Sequence, residues 1–179
     1  MTPKLRQLAA SLTKSAGRKE KGEFGERLAK EWFERHGLNY FRFPQTPEEM
    51  PRSLARMGGK RPDFAVSFGE GESLVYMDAK FHQTNNVTEF VIEEDELAKF
   101  SVFRQWALEE LGDDGDRDVY LLVYPQELNG DRFVFLHLED LRTGLPTVLN
   151  EKPARKVLIE AGLWFNQDEG QKAVGGAND

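Results

Sequence analysis

The chain has 179 residues, a net charge of −7 and no cysteine. The length suits one domain with a substantial core and short extensions. The lack of cysteine excludes disulfides, thiolate catalysis and cysteine zinc sites. The charge is uneven, because residues 1–61 carry 14 Lys and Arg against 7 Asp and Glu, whereas residues 62–179 carry 10 against 24. The acidic total therefore does not exclude a polyanionic partner, which responds to a local basic face.

The N-terminal residues 1–19 are basic and place Leu5, Leu8 and Leu12 along one helical face, which predicts a helical arm. They lack the continuous apolar core of a secretory signal, and an organelle presequence is the alternative. No apolar run is long enough to span a bilayer, so no membrane segment is predicted. A cytoplasmic protein is the expectation.

The first half of the chain predicts one helix and three strands. Residues 21–37 have the period of an amphipathic helix that ends at Gly37. Its apolar sector consists of Phe24, Leu28, Ala29, Trp32 and Phe33. Alternation predicts a strand at residues 40–43, and the proline- and glycine-containing residues 44–61 predict a loop. Two apolar runs on either side of Glu70-Gly71 predict a hairpin.

The second half predicts a long helix, two strands and a short helix. Residues 81–92 are interpreted as irregular or as a short edge strand. Residues 93–112 give the clearest helix, with a core face of Leu97, Phe100, Phe103, Ala107 and Leu111. Strands follow at residues 119–124 and 132–136, and Pro153 opens a helix to Ala161. We expect a mixed α/β domain over residues 20–165 and a disordered tail at residues 166–179.

Two aspartates lie near the ends of the predicted hairpin strands, in the stretch RPDFAVSFGEGESLVYMDAKF of residues 61–81. If the strands pair symmetrically about Glu70-Gly71, Asp63 lies directly opposite Asp78. Like charges so placed destabilise a sheet by about 0.2–1 kcal/mol. An offsetting partner is therefore expected, and a divalent cation between the carboxylates is the one that the pattern favours.

Lys80 extends this acidic pair, because it lies two residues after Asp78 on the same strand and shares its face. The opposite face is predicted to carry apolar side chains, namely Phe64, Val66, Val75 and Met77. Glu26, at the edge of the apolar sector of the first helix, would add a third carboxylate. Such an oxygen set suits Mg²⁺, with Mn²⁺ as a substitute. The metal would polarise a phosphoryl oxygen and activate a water, while Lys80 would position that water or the phosphate.

These residues resemble the motif of the PD-(D/E)xK, or restriction-endonuclease-like, nucleases. Pro62-Asp63 is followed after a turn by Asp78-Ala79-Lys80, and the upstream segment KGEFGER (residues 21–27) is similar to the opening helix of archaeal Holliday junction resolvases in that superfamily. The resemblance covers residues 20–125 and implies an αβββαβ core with a central mixed sheet flanked by helices. It implies that Asp63, Asp78, the Ala79 carbonyl and Glu26 bind Mg²⁺ and that Lys80 assists the nucleophilic water.

The sequence also departs from this family pattern. Asp78 replaces the commoner glutamate, Gln105 is followed four residues later by Glu109 rather than tyrosine, and the loop at residues 44–61 is longer than in a minimal resolvase. These differences bear on which substrate is cleaved more than on the type of reaction. The simpler interpretation of the motif is a structural ion pair of Lys80 with one aspartate, which leaves the second aspartate unexplained. Glu26 alone would be an ordinary solvated helix residue.

The loop before the hairpin is basic and has no acidic residue between Met50 and Pro62. Its cations, Arg52, Arg56, Lys60 and Arg61, are predicted to grip the phosphates of a nucleic acid. An ordinary solvated loop is the alternative.

Together these features predict a metal-dependent endonuclease that hydrolyses phosphodiester bonds of nucleic acid. DNA is favoured, and a junction-resolving, restriction or other defence type of activity is expected. The alternatives are an inactive copy of the fold that binds nucleic acid or serves in assembly, and a tRNA-cleaving toxin domain. Cutting both strands of a duplex would favour a homodimer.

Overall fold

A computed structural model describes residues 17–68, 74–111, 118–160 and 162–169. Most of the predicted N-terminal arm, the Glu70-Gly71 turn and most of the predicted tail lie outside these ranges. The described part contains four α-helices and nine strands. The helices are α1 (Arg18–Arg35), α2 (Arg52–Met57), α3 (Glu94–Leu111) and α4 (Leu138–Arg142). None of them is long and apolar enough to cross a bilayer.

The strands form two sheets. The central sheet has six strands in the order β1-β2-β3-β5-β6-β9, in which β3 and β5 are parallel and all other neighbours are antiparallel. Its strands are β1 (Asn39–Arg42), β2 (Phe64–Ser67), β3 (Leu74–His82), β5 (Val119–Pro125), β6 (Arg132–His137) and β9 (Leu163–Asn166). An antiparallel second sheet has the order β4-β8-β7. It consists of β4 (Glu89–Glu93), β7 (Leu145–Leu149) and β8 (Lys152–Leu158).

The predicted fold class is confirmed: a mixed central sheet is flanked by helices, and α1, β1, β2, β3, α3 and β5 occur in the αβββαβ order, with α2 inserted before β2 and β4 before α3. Each long helix covers one face with its predicted apolar residues. The α1 face buries Phe24, Leu28, Ala29, Trp32 and Phe33 against β2, β3, β5 and β6. The α3 face buries Leu97, Phe100, Phe103 and Ala107 against the other side of the sheet. Strand β5 is buried on both faces, as its apolar sequence predicts.

Two secondary-structure predictions are wrong. The helix predicted from Pro153 to Ala161 is strand β8, which lies between β4 and β7. Pro153 pairs with Val148 of β7, whereas pairing with β4 begins one residue later, at Ala154, so on the β4 side the missing N–H removes no ladder bond. The predicted loop at residues 44–61 also contains a 3₁₀ turn (Pro47–Glu49) and helix α2, which buries Leu54.

Candidate active site

Strands β2 and β3 pair in the register that the sequence predicts. Phe64 lies opposite Met77 and Val66 opposite Val75, so the next pair outward is Asp63 and Asp78. Both carboxylates are buried: the exposed fraction is 9% for Asp63 and 1% for Asp78. By alternation they lie on the α3 face, since Ala65 and Tyr76 belong to that core while Phe64 and Met77 belong to the other.

The two aspartates are held differently. The Ala79 amide donates a 2.8 Å hydrogen bond to Oδ2 of Asp63, and the Asp63 carbonyl accepts one of 2.9 Å from the Phe43 amide. Within the described part of the chain, neither side-chain oxygen of Asp78 accepts a hydrogen bond from a backbone amide or a neutral side chain. Its neighbours are ammonium groups, with Nζ of Lys80 2.5 Å from Oδ2 and Nζ of Lys60 3.5 Å from Oδ1. Asp78 is thus a buried anion whose charge is balanced by the ammonium groups of Lys80 and Lys60.

Burial and the Asp78 charge raise the pKa of Asp63 well above its ordinary value, with a smaller contribution from Glu26. The Ala79 hydrogen bond and Lys80 act in the opposite direction but do not offset this. The rise is the electrostatic sign of two carboxylates that share one poorly solvated site. A bound cation would remove it, because it would stabilise both ionised groups.

Lys80 lies at the centre of an ionic cluster on the α3 face, defined here as Asp78, Lys80, Glu96 and Lys60. Its Nζ is 2.7 Å from Oε1 of Glu96, and Nζ of Lys60 is 2.5 Å from the same oxygen. Burial would lower the pKa of Lys80, but Asp78 and Glu96 outweigh it and raise the pKa. Lys80 therefore stays charged, and two carboxylates hold its ammonium group in place.

Glu96 is the member of this cluster that sequence reasoning missed. Burial by itself would raise the pKa of Glu96, but Lys80 and Lys60 outweigh it and lower the pKa to about 2. A signal for it exists in the sequence, because Glu96 precedes Phe100 by four residues and so lies on the buried side of α3. Glu96 is half-buried, whereas its neighbour Asp95 in the same turn is exposed.

The carboxylate of Glu26 pairs with Arg42 rather than contacting the two aspartates, and its part in metal binding, direct or through water, stays a prediction. Its Oε2 accepts from Nε of Arg42 at 2.9 Å and lies 2.5 Å from Nη2 of the same arginine. It stands on α1, which covers the face opposite to Asp78, and approaches Asp63 only closely enough to act on its pKa. Within the described residues no three or more His, Asp or Glu side chains form a metal-binding group.

The four predicted phosphate-binding cations separate into three environments. Arg52 and Arg56 are exposed on α2. Lys60 belongs to the ionic cluster. Arg61 is buried, with an exposed fraction of 5%, and donates to the backbone carbonyls of Glu49, at 2.6 Å, and Pro44. Arg61 therefore anchors the segment before β2, and only Arg52 and Arg56 present free cationic surface among these four.

The remaining donors fit a small, hard divalent cation. Asp63 and Asp78 supply carboxylate oxygens on one face of the hairpin, and the buried Asp78 oxygens already face cationic groups, the ammonium groups of Lys80 and Lys60. Mg²⁺ prefers oxygen ligands, is often held by one or two carboxylates and keeps several waters, so it does not need a third side chain. The donor set suits magnesium or manganese better than zinc, which favours nitrogen and sulfur.

A cleft of about 550 Å³ opens beside these residues. It is bounded by the start of α1, the end of β3 and strand β4 of the second sheet, and both Lys80 and Glu96 line it. The carboxyl ends of the parallel strands β3 and β5 point to this region, where α/β sheets commonly bind ligands.

Comparisons with known proteins give one distant structural similarity and no family assignment. No protein-family model matches the chain, and no curated protein matches it. Among solved structures, the chain is similar to Hjc, a Holliday junction resolvase from the archaeal hyperthermophile Archaeoglobus fulgidus. The TM-score is 0.47 and the identity 16%, over 80% of this chain and 90% of the resolvase chain.

Proposed function

We propose that this protein is a metal-dependent nuclease that hydrolyses phosphodiester bonds of nucleic acid. One observation carries the proposal: Asp63 and Asp78, buried and paired across one hairpin, share a face with a charged Lys80 at the edge of an open cleft. A purely structural ion pair needs one aspartate, and the second raises the electrostatic cost of the site. The motif resemblance favours DNA as the substrate.

Asp63 and Asp78 would hold the metal, with the Ala79 carbonyl as the further ligand that the resemblance implies. A divalent cation bound there would supply Lewis-acid activation of the phosphoryl group and of a water. The chain itself contributes orientation, because the Ala79 amide fixes the Asp63 carboxylate and Glu96 fixes Lys80. The Lys80 ammonium would hold an anionic phosphate oxygen or the attacking water at the mouth of the cleft.

The second candidate is an inactive nuclease fold that only binds nucleic acid. The observation in its favour is that Lys60 and Lys80 already neutralise Asp78 and Glu96. A homodimer that cuts both strands stays a prediction.

The test is cleavage of labelled linear duplex, single strand and four-way junction with Mg²⁺, Mn²⁺ or EDTA. Cleavage should need the metal, and Asp78→Asn or Lys80→Met should lower the rate by about 10²–10³-fold or more, as loss of a catalytic electrostatic contact does. Glu96→Gln should cause a smaller loss, since it only loosens Lys80. Asp95→Asn, at the exposed neighbouring position, is the matched control and should cleave normally.

Metal calorimetry separates the two candidates. The nuclease should show Mg²⁺ binding that Asp78→Asn abolishes. Equal heats for the two proteins, together with no cleavage of any substrate, would leave the binding module as the function.

A further inference from the structure

The Asp78 carboxylate faces two ammonium groups, and the proposed function requires it to bind a divalent cation as well. Nζ of Lys80 lies 2.5 Å from Oδ2, and Nζ of Lys60 lies 3.5 Å from Oδ1. A divalent cation at the same buried carboxylate would repel both ammonium groups, so the more loosely held one should give way first. The contacts of the two lysines show which one that is.

Lys80 is the more firmly held of the two. It follows Asp78 by two residues on strand β3, so the strand itself directs its side chain to the same face. Its Nζ makes the shorter contact with Asp78 and also lies 2.7 Å from Oε1 of Glu96. Its side chain is only 18% exposed, so it has little solvent into which it could move.

Lys60 is bound more loosely to Asp78 and has other partners. Its contact with Asp78 is the longer one, whereas its Nζ lies 2.5 Å from Oε1 of Glu96. The same ammonium group lies 4.8 Å from the centre of the Phe100 ring, in a cation–π contact. The side chain is 34% exposed, which is more than that of Lys80. Lys60 can therefore leave Asp78 and keep its contacts with Glu96 and Phe100.

The main chain at Lys60 is held independently of these ion pairs. Its amide donates a 3.2 Å hydrogen bond to the Lys99 carbonyl on α3. The preceding residue, Gly59, packs so closely that a Cβ there would overlap the Leu54 side chain. A movement away from Asp78 therefore needs only a rotation of the Lys60 side chain.

We infer that Lys60 and the divalent cation compete for the Asp78 carboxylate, and that Lys60 withdraws to Glu96 when the metal binds. Lys60 thereby sets the metal affinity of the site, whereas Lys80 remains in place to act on the phosphate or the water. The inference rests on the proposed function, because it takes Asp78 to be a metal ligand. It explains how a carboxylate that already faces two cations can accept a third.

The test is isothermal titration calorimetry of the intact protein with Mg²⁺, without nucleic acid. Lys60→Met keeps the aliphatic stem but removes the charge, so it should tighten Mg²⁺ binding by on the order of tenfold or more. Lys60→Arg keeps the charge and should keep the wild-type affinity. Lys99→Met is the matched control, because the Lys99 ammonium group pairs with Asp95 at 2.6 Å, and it should also keep the wild-type affinity.

Thermal denaturation gives a second measurement of the same competition. In EDTA, Lys60→Met should melt below wild type, because Asp78 and Glu96 then share a single ammonium group. Mg²⁺ should raise the melting temperature of Lys60→Met more than that of wild type, since tighter binding to the folded state stabilises it more. Lys60→Gln repeats both measurements if the methionine variant does not fold.

Equal Mg²⁺ affinities of Lys60→Met and wild type would overturn the inference and leave the proposed nuclease its metal. Tighter binding by Lys60→Arg or by Lys99→Met, to the same extent as by Lys60→Met, would overturn it as well. If neither wild type nor Lys60→Met binds Mg²⁺, the inference and the metal-dependent activity fall together. Tighter binding by Lys60→Met alone, with no cleavage of any substrate, would support the inference and remove the proposed activity.

Discussion

At the residue scale, the glutamate that contacts Lys80 is not the one that the sequence motif indicates. Glu26 matches a nuclease motif, yet it is committed to Arg42 on the face opposite to Asp78. Glu96 matches no motif, yet it holds both Lys60 and Lys80. A motif residue such as Glu26 is recognised from its own sequence segment. The carboxylate that pairs with Lys80, in contrast, depends on how α3 packs on the sheet, because that packing brings Glu96 within reach.

The lowered pKa of Glu96 makes a prediction for the acid stability of the protein. The folded pKa is about 2, against 4.5 in the unfolded chain, so the ionised form stabilises the fold. This contribution is complete above about pH 4.5 and is lost as the pH falls towards 2. The difference of about 2.5 pKa units corresponds to about 3.5 kcal/mol, at about 1.4 kcal/mol per unit. Solvent screens part of this at the 30% exposed carboxylate, so Glu96→Gln should reduce the free energy of unfolding at pH 7 by on the order of 2 kcal/mol.

Urea unfolding of wild type and Glu96→Gln at pH 7 and pH 2.5 measures this effect. The stability difference should shrink at the lower pH, because the carboxyl of the unfolded wild-type chain, with its ordinary pKa of 4.5, is protonated there and most of the electrostatic preference for the folded state is lost. Asp95→Asn controls for a general effect of removing a charge from α3. A difference that is as large at pH 2.5 as at pH 7 would contradict the electrostatic origin.

At the scale of elements, helix α1 is positioned by close contact with β3. A Cβ at Gly25 would lie 3.2 Å from the Phe81 backbone nitrogen and 3.6 Å from the Ala79 carbonyl oxygen, so the glycine lets the helix backbone approach the motif strand. Periodicity predicted the helix correctly, including every residue of its apolar sector. Periodicity did not predict that Gly25, and not Gly22, is the glycine whose missing side chain permits the close contact with β3.

The two glycines should respond oppositely to alanine. Gly22→Ala should raise the melting temperature by about 2–4 °C, because it adds about 1 kcal/mol of helix propensity in open space. Gly25→Ala gains the same propensity but must push α1 away from β3, so its melting temperature should fall below that of wild type. Thermal denaturation of the pair by circular dichroism is the measurement. An equal rise in both variants would show that the Gly25 contact is unimportant.

Strand β8 shows where local patterns fail for an element. Pro153 before a short apolar segment is typical of a helix start, but Lys152–Leu158 pairs with β4 and β7 instead. The register joins Phe90 with Val157 and Ile92 with Arg155. Those partners are more than sixty residues apart in the chain, so no local period can indicate the pairing.

At the scale of the whole molecule, the second sheet shares a core with the central one. Phe90, Ile92 and Ile159 pack in the same cluster as Leu97, Phe100 and Leu121. The Ile159 amide donates a 2.9 Å hydrogen bond to the Thr88 carbonyl, which ties the segment after β8 to the one before β4. That residues 20–165 fold as one unit stays a prediction, and this shared core is the feature on which it can be tested.

Ile159→Ala tests that prediction. Removal of a side chain with 0% exposure should cost about 2–5 kcal/mol. If the core is shared, urea unfolding of the variant should remain one transition, coincident by tryptophan fluorescence and circular dichroism. Val148→Ala, at a 68% exposed position of the same sheet, should change stability by less than about 0.5 kcal/mol. Two separated transitions would show that the second sheet folds independently.

The sequence by itself determined the two long helices, the order of the αβββαβ core and the pairing of Asp63 with Asp78. These follow from apolar periodicity and from the symmetry of one hairpin, which act over a few neighbouring residues. Only the tertiary structure decided that Lys60 and Glu96 complete the Lys80 cluster, that Arg61 is buried, and that β8 joins a second sheet. Those outcomes depend on which distant segments share a core, because a buried charge pairs with whatever the packing places beside it.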